Sequence, residues 1–290
     1  MPTLLAPAKI NLTLEVLSRR ADGYHNVRSV MVPVALYDRI ELRPSEIANF
    51  ETSDPALARD NLIERALAAA GVRAPYAIAL QKEIPVGGGL GGGSSDAAAV
   101  LRAAMSGTLG AHDEPNWLEV ARRLGSDVPF FLAGTGALVE GTGERITPLG
   151  TLPDWWVIVA RPHAAVATDD AYRRLDRQRA ASGAPPARPR SSSVSLAAVD
   201  ALQRREFRAL AGLLVNDFHD IVLEAYPAVA RADEALRAAG AAHALLSGSG
   251  SCLFALFETE DEARACRARL DGGAFEQTFI VALHNDAAWR

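Results

Sequence analysis

Six glycines occupy the seven positions from Gly87 to Gly93, and no other stretch of the sequence restricts the fold as strongly. Glycine in ordered structure costs roughly 0.5–1 kcal/mol relative to alanine, so this run gives up about 3–6 kcal/mol of a typical stability of about 5–15 kcal/mol. The segment YAIALQKEIPV before the glycines predicts a strand, and AAAVLRAAM after them predicts a helix. We therefore predict a glycine-rich turn between the two, with Ser94, Ser95 or Asp96 as the cap of the helix.

A turn of this kind is suited to binding an anion. Backbone N–H groups without side chains can converge on one point, and the helix start adds unpaired N–H groups and a positive dipole end, which together bind phosphate. A P-loop is excluded because Gly93 is followed by Ser94 rather than by lysine. Two alternatives stay open. One is a flexible linker; the other is a dinucleotide motif at Gly87, Gly89 and Gly92, which lacks the acid expected about 20 residues later.

Composition narrows the class of protein. The chain has 290 residues, 49% of them hydrophobic and 22% charged, as in a soluble globular protein of one large or two smaller domains. A net charge of −5 argues against a nucleic-acid partner. We find no signal peptide, no run of about 18 apolar residues for a membrane span, and no His/Cys/Asp cluster with metal-ligand spacing. Cys252 and Cys266 form no disulfide or metal pattern, so we expect a cytoplasmic protein.

The order of predicted elements indicates the fold class. Strands and helices mix without a regular βαβα rhythm, which predicts an α+β fold. The apolar residues from Ile10 to Val16 alternate with polar ones, so this segment is predicted as a half-buried strand with Lys9 on its polar face. VRSVMVPVALYDRIELRP predicts two further strands, and DNLIERALAAAG a helix capped by Asp60 or Asn61. Ser182 to Ser193, rich in Pro, Ser and Arg, is predicted to be a mobile loop.

Several side chains outside the glycine run are candidates for chemistry. Lys9 is one of only two lysines among 30 basic residues, which suggests that a compact ammonium is needed there. Asp127 lies between a helix-ending glycine and an apolar segment, where it is either a functional carboxylate or a helix N-cap. Tyr24 and His25 follow an Asp-Gly turn and are predicted to be an exposed aromatic pair, which suits stacking on a planar ligand ring. The glycine loop at 248–250 is a tight turn or a second part of the same site.

Five segments resemble, in order and spacing, the family of GHMP kinases: PAKINLTLEV, RADGYHNVRSVM, PVGGGLGGGSSDAAAVL, LGSDVPFFL and LSGSGSCLFALF. The resemblance runs from about residue 4 to 284. It implies a two-domain α+β fold with the active site in the cleft between domains, for which we expect ranges of 1–155 and 156–290. The Gly-Tyr-His segment resembles the subgroup that phosphorylates the 2-hydroxyl of 4-diphosphocytidyl-2-C-methyl-D-erythritol with ATP in non-mevalonate isoprenoid precursor synthesis.

The resemblance also implies roles for individual residues. Lys9 and Asp127 match the family's catalytic pair. The positions around the substrate, where aromatic groups grip the cytidine, are matched by Asn11, Tyr24, His25, Thr168 and Tyr172. The residues expected to bind the ATP phosphates are Pro85, Val86, Gly87, Gly88, Gly89, Leu90, Gly91, Gly92, Gly93, Ser94 and Ser95. Asn61 is expected near the adenine.

The expected cofactors are ATP and magnesium (Mg2+), with the ion carried by ATP. Many family members place a metal-binding glutamate in the helix after the glycine loop, but AAAVLRAAM contains no acid. The partners are therefore ATP and a small-molecule substrate, and the sequence leaves the oligomeric state open. Three other functions stay open: a kinase for another alcohol such as homoserine or mevalonate, an NAD-dependent oxidoreductase, and a nucleotide-binding regulator without catalysis.

Overall fold

Two long antiparallel strands, β1 (Thr3–Arg19) and β2 (His25–Pro44), form the centre of the first sheet. The computed structural model describes residues 3–57, 61–110, 115–183 and 193–284, so most of the predicted mobile loop lies outside the described residues. β2 pairs with β5 (Ala137–Gly141) along its first half and with β4 (Tyr76–Gln81) along its second.

The prediction of two strands between residues 27 and 44 is wrong, because β2 continues through Pro33. β5 pairs with residues 27–31 of β2 and β4 with residues 39–44, so Pro33 lies between the two partners on that edge. A missing N–H therefore removes no ladder hydrogen bond there, which is the kind of position where a strand tolerates proline.

The remaining strands complete two sheets. In the first sheet β3 (Asn49–Thr52) runs parallel to β4, β6 (Arg145–Pro148) pairs with β5, and β8 (Val215–Asn216) runs parallel to β1. The second sheet is antiparallel, in the order β11 (Phe275–Ala282), β7 (Trp156–Pro162), β10 (Leu253–Phe257), β9 (Ala244–Leu246). With the helices below, this arrangement confirms the predicted α+β class.

The helices of the described residues are α1 (Leu62–Ala69), α2 (Gly92–Met105), α3 (Trp117–Leu124), α4 (Val128–Ala133), α5 (Thr168–Ser182), α6 (Val194–Gln203), α7 (Phe207–Ala211), α8 (His219–Ala225), α9 (Pro227–Ala238) and α10 (Glu260–Arg267). The predicted cap Asn61 begins α1, where its side chain accepts a hydrogen bond from the Glu64 N–H. None of these helices has the length and apolar content that crossing a membrane requires.

Helix α2 begins earlier than predicted. Its N-cap is Gly91, which has a φ of +73° and makes no side-chain cap hydrogen bond. The Ser95 N–H donates to the Gly91 carbonyl at 2.9 Å, so Ser94, Ser95 and Asp96 lie inside the helix and the prediction that one of them caps it is wrong. A left-handed glycine lets the chain turn directly into the helix without a capping side chain. The last residues of the glycine run therefore form the first turn of α2.

β1 is buried on both faces, so the prediction of a half-buried strand is wrong. Elements from the second half of the chain cover its polar side chains. The Ser195 hydroxyl at the start of α6 lies 2.8 Å from that of Thr13, and Ser193 donates a 2.6 Å hydrogen bond to Glu15. Strand β8 extends the same sheet. The first sheet is thus completed by residues far downstream, and the domain boundary near residue 155 stays a prediction.

Candidate active site

The glycine segment forms a loop over residues 82–91, between β4 and α2. Close approach of other groups and a positive φ together require glycine at two of its positions. A Cβ atom on Gly89 would lie 2.1 Å from the carbonyl oxygen of Ser247, and one on Gly91 would lie 2.8 Å from the Phe131 ring. Both residues also have a positive φ, which disfavours every other residue type. This loop is fixed by its neighbours, so the flexible-linker interpretation is wrong.

The second glycine loop, residues 247–252, packs directly against the first. The Ser247 hydroxyl donates to the Gly89 carbonyl at 3.0 Å, and the Cys252 N–H donates to the Gly88 carbonyl at 3.1 Å. Two glycine segments that lie about 160 residues apart in the sequence are therefore one structural unit. We call this unit the double glycine loop.

Lys9 lies beside this unit. Its N–H donates to the Leu90 carbonyl at 3.0 Å, and a Cβ on Gly91 would lie 3.2 Å from its Cγ. The Lys9 ammonium is almost fully buried, donates a 2.6 Å hydrogen bond to the Asn11 Oδ1, and lies 3.6 Å from the Asp127 Oδ2. Burial lowers the pKa of Lys9 below its ordinary value of 10.5, and the nearby Asp127 offsets part of that effect.

Asp127 precedes α4, yet its side chain makes no capping hydrogen bond. The side chain is one-third exposed and faces Lys9, so the carboxylate remains available to a ligand. Helix α4 is held in place from α2, because Arg102 donates a 2.7 Å hydrogen bond to the Phe131 carbonyl. The N-cap interpretation thus accounts for the position of Asp127 in the chain and leaves its side chain unexplained.

The predicted substrate residues Tyr24 and His25 differ in exposure. Tyr24 is 69% exposed at the turn between β1 and β2, as predicted. His25 is not exposed: its ring stacks on Tyr172 with centroids 4.7 Å apart, and its Nε2 lies 2.9 Å from the Asp176 Oδ1. Helix α5 carries both Tyr172 and Asp176, so it brings an aromatic ring and a carboxylate onto the start of β2. The sequence pattern did not reveal this contact because its two sides lie about 150 residues apart.

Tyr172 lies between the His25 ring, on which it stacks, and the Asp127 carboxylate, which is near enough to affect its pKa. Its ring also makes an edge contact with Phe218, at 4.8 Å between centroids. Burial, with a smaller contribution from the Asp127 carboxylate, raises the pKa of Tyr172 to about 12, so its phenol is neutral. Thr168, at the start of the same helix, places its hydroxyl 2.8 Å from that of Ser249 in the double glycine loop. The predicted residues thus surround one region.

Sequence reasoning missed a buried charged cluster at the base of the glycine loop. The Lys82 ammonium contacts one oxygen of Asp38 and lies 3.1 Å from the Asp96 Oδ2. The other Asp38 oxygen accepts hydrogen bonds from the N–H groups of Glu83 and Ile84, at 2.8 and 2.9 Å. Strand β2, the entry to the loop and helix α2 are thereby joined. The one signal in the sequence was that Lys82 is the second of the two lysines.

The same cluster lies directly against the first turn of α2. A Cβ on Gly92 would be 3.0 Å from the Lys82 ammonium and 3.2 Å from the Asp38 carboxylate. Burial raises the pKa of Asp96 to about 7, Asp38 adds to the rise, and Lys82 opposes it. The two carboxylates in turn raise the pKa of Lys82 despite its burial. Lys82 therefore stays charged between them.

Three further residues predicted to bind the ATP phosphates lie in two different environments. Pro85 and Val86 border a cleft of about 230 Å³ that also contacts Arg161 of the second sheet. Ser95, in the first turn of α2, is fully buried and its hydroxyl has no hydrogen-bond partner within the described part of the chain. An unsatisfied buried hydroxyl at a helix start is suited to a ligand oxygen.

No protein cage for magnesium is evident in the ranges that the structure describes, since no three His, Cys, Asp or Glu side chains group there in a way that could hold a metal ion. The Asp127 carboxylate already faces the Lys9 ammonium, at 3.6 Å. We therefore assign no step to a metal held by side chains. The expectation that magnesium arrives with ATP stays a prediction.

A glycine loop at a helix start can bind phosphate, and a buried lysine and an available carboxylate lie beside it here. These groups together are suited to phosphoryl transfer to a small molecule. Residues 59–135 match the family description "GHMP kinases N terminal domain", and residues 198–276 match "GHMP kinases C terminal". The chain belongs to the GHMP kinase family, which confirms the resemblance found in the sequence. The members of this family are small-molecule kinases, so the dinucleotide interpretation of the glycines is wrong.

Individual relatives narrow the similarity further. The chain is 44% identical over 250 residues to the 4-diphosphocytidyl-2-C-methyl-D-erythritol kinase of Symbiobacterium thermophilum, which covers 84% of this chain and 86% of the relative. A crystal structure of 4-(cytidine 5'-diphospho)-2C-methyl-D-erythritol kinase matches with a TM-score of 0.78 and 35% identity, covering 98% of this chain and 100% of that one. A homoserine kinase from Cytophaga hutchinsonii matches with a TM-score of 0.69 at 20% identity over 97% and 94% of the two chains, which shows the fold alone.

Proposed function

We propose that this chain transfers the γ-phosphoryl group of ATP to the 2-hydroxyl of 4-diphosphocytidyl-2-C-methyl-D-erythritol. One observation carries the chemistry: Lys9 contacts the glycine loop through its backbone and Asp127 through its ammonium. The position expected for a phosphate chain is thus adjacent to a cation and a proton acceptor. The choice of acceptor is supported by relatives of that name at 35–44% identity over most of both chains.

The glycine loop and the start of α2 bind the phosphates of ATP in this proposal. Backbone N–H groups of the loop and the positive end of the α2 dipole favour the anionic chain. The Ser95 hydroxyl, buried and without a partner among the described residues, supplies a further donor. The ATP arrives as its magnesium complex, and the cleft beside Pro85 and Val86 lies at the other end of the loop, where the base can enter.

The reaction needs a proton acceptor and charge stabilisation more than covalent catalysis. Asp127 accepts the proton of the 2-hydroxyl while that oxygen attacks the γ-phosphorus, and the bond to the bridging oxygen of ADP breaks. The Lys9 ammonium faces the Asp127 carboxylate at 3.6 Å and stabilises charge on the transferred group. Asn11 lies on the same strand and holds the ammonium through its Oδ1.

The cytidine end of the acceptor is bound by aromatic rings in this proposal. Tyr172 and His25 already form a stacked pair, and Tyr24 is exposed at the neighbouring turn. Aromatic stacking contributes roughly 0.5–1.5 kcal/mol per pair beyond the burial of area, so a planar pyrimidine gains affinity here. Thr168 connects this group to the double glycine loop.

The test is ADP release with purified protein, with the diphosphocytidyl acceptor present and absent. We expect release only with that acceptor, and homoserine or mevalonate as acceptor should give little turnover. Asp127→Ala should lower turnover roughly 10²–10⁴-fold, the usual range for a positioned base. Lys9→Ala should lower turnover more than it lowers ATP affinity. The control for the Asp127 variant is Asp154→Asn, which removes a carboxylate at an exposed position. Near-normal turnover of Asp127→Ala, or equal rates with homoserine, would contradict the proposal.

A further inference from the structure

The Asn11 amide is held between an ammonium and a hydroxyl. Its Oδ1 accepts a 2.6 Å hydrogen bond from Lys9, and its Nδ2 donates a 2.8 Å hydrogen bond to the Ser29 Oγ. Ser29 in turn donates a 2.6 Å hydrogen bond to the Thr13 carbonyl. All four residues are at least 96% buried, so water does not replace these partners.

The chemistry of the donors allows only one orientation of this amide. A serine hydroxyl has one proton, and a carbonyl oxygen can only accept, so Ser29 uses its proton on Thr13. Toward Asn11 it can then act only as an acceptor, which requires the NH2 group of the amide on that side. The carbonyl oxygen of the amide is thereby directed at Lys9, whose ammonium can only donate. A flipped amide would turn its NH2 group toward the Lys9 ammonium, so that two donors face each other. It would also turn its oxygen toward Ser29, so that two acceptors face each other.

An irregularity in the pairing of β1 and β2 makes these side-chain hydrogen bonds possible. Their pairing shifts register between Asn11 and Thr13. At that point side chains replace ladder hydrogen bonds: the Val30 N–H donates to the Thr13 Oγ1 at 2.9 Å, and Ser29 satisfies the Thr13 carbonyl. β-bulges near functional sites re-aim side chains in this way.

We propose that Ser29 is a positioning residue, which fixes the Asn11 amide and thereby holds the Lys9 ammonium between Asp127 and the double glycine loop. The proposal rests on the proposed function for its effect on rate, but the positioning itself concerns only the resting protein. Ser29 touches no reacting atom in it and acts through Asn11. A merely structural role, closing the register shift, would stabilise the sheet without affecting Lys9.

The first test measures Lys9 directly and needs no substrate. The chain has two lysines, so protein labelled with carbon-13 at the lysine ε position gives one signal for Lys9 and one for Lys82. Ser29→Ala should lower the titration midpoint of Lys9, because the charged form loses a fixed acceptor, and should leave Lys82 unchanged. Ser195→Ala is the matched control, since this buried serine also contacts Thr13 but not Asn11. An unchanged Lys9 signal in Ser29→Ala, or an equal shift in Ser195→Ala, overturns the proposal.

The second test uses the kinase reaction. Ser29→Ala should lower kcat roughly tenfold to a hundredfold, as expected for a buried polar group left without its partner, with KM for ATP within about twofold. In an Asn11→Ala background the same substitution should change kcat less than about twofold, because the path to Lys9 is already broken. Equal losses in both backgrounds would show that Ser29 acts on the sheet alone.

Two further variants keep the tests decisive. Ser29→Thr restores the hydroxyl and should recover both the Lys9 signal and kcat. Ser29→Cys, close to serine in size, replaces Ser29→Ala in both experiments should the alanine variant not fold. If no variant, nor the unmodified chain, phosphorylates the diphosphocytidyl acceptor, the proposed function fails, while the lysine titration still decides the role of Ser29.

Discussion

Asp96 offers a direct test of the charged cluster below the glycine loop. Burial raises its pKa from 3.8 to about 7, so between about pH 4 and pH 7 the folded protein holds a proton that the unfolded chain has lost. The stability that this group contributes is complete below about pH 4 and disappears as the pH rises through about 7. Asp96→Asn keeps the shape of the side chain and removes the titration.

The magnitude follows from the size of the pKa shift. Each pKa unit corresponds to about 1.4 kcal/mol, so the whole shift amounts to about 4 kcal/mol, of which about 2–3 kcal/mol falls between pH 5 and pH 8. Urea unfolding of the wild type and Asp96→Asn at those two pH values measures it. The wild type should lose about 2–3 kcal/mol more than the variant on going from pH 5 to pH 8.

The comparison of pH dependences removes the constant cost of the substitution. Asp96→Asn also replaces a carboxyl oxygen beside Lys82 with an NH2 group, and the cost of that exchange is the same at both pH values. Asp154→Asn, at an exposed position, should follow the wild-type curve. Parallel curves for the wild type and Asp96→Asn would refute the reasoning, because they would mean that Asp96 is ionised in the folded protein at pH 5 and pH 8 alike.

Two further predictions concern the loop and the aromatic group. In urea unfolding, Gly89→Ala should destabilise the protein far more than Gly87→Ala. Both glycines have a positive φ, so Gly87→Ala should cost about 1–2 kcal/mol, but only at Gly89 would the new Cβ also meet a carbonyl oxygen, at 2.1 Å. Equal losses of stability in the two variants would contradict this prediction. Tyr172→Ala should raise KM for the diphosphocytidyl acceptor roughly 3–10-fold in kinase assays without changing KM for ATP. Tyr172→Phe keeps the stacked ring and is the control. An unchanged acceptor KM in Tyr172→Ala would argue against this ring as part of the site.

The parts of the site that lie within single motifs were predictable from the sequence. A strand, a glycine run and a helix follow one another between residues 76 and 105, and local rules for turns and helices suffice to place them. The cap at Asn61 follows from the same rules. The resemblance to known kinases brought Lys9 and Asp127 together, which periodicity alone does not do.

The missed features depend on contacts between distant segments. Asp38 lies 44 residues before Lys82, and no local pattern indicates that a strand residue will neutralise a loop lysine. His25 was expected to be exposed because it follows a turn, but α5 covers it. Strand β8 has only two residues, too few for any alternation, and it is defined by its pairing with residues 13 and 14 of β1. In each case tertiary packing decided what local sequence left open.

The two lysines of the chain show why a compact cation is retained at this loop. Gly91 and Gly92 are adjacent, and a Cβ on the first would meet the stem of Lys9 while a Cβ on the second would meet the ammonium of Lys82. The backbone therefore approaches both lysines closely enough to require glycine on its own side. A guanidinium is larger, planar and directs five donors outward, so it fits poorly between a glycine backbone and carboxylates that already have partners. Both lysines lie against the start of α2, where we propose that the phosphates of ATP bind, and each is paired with a carboxylate. The two lysines of an otherwise arginine-rich sequence thus have one explanation: close approach of the backbone to a buried cation.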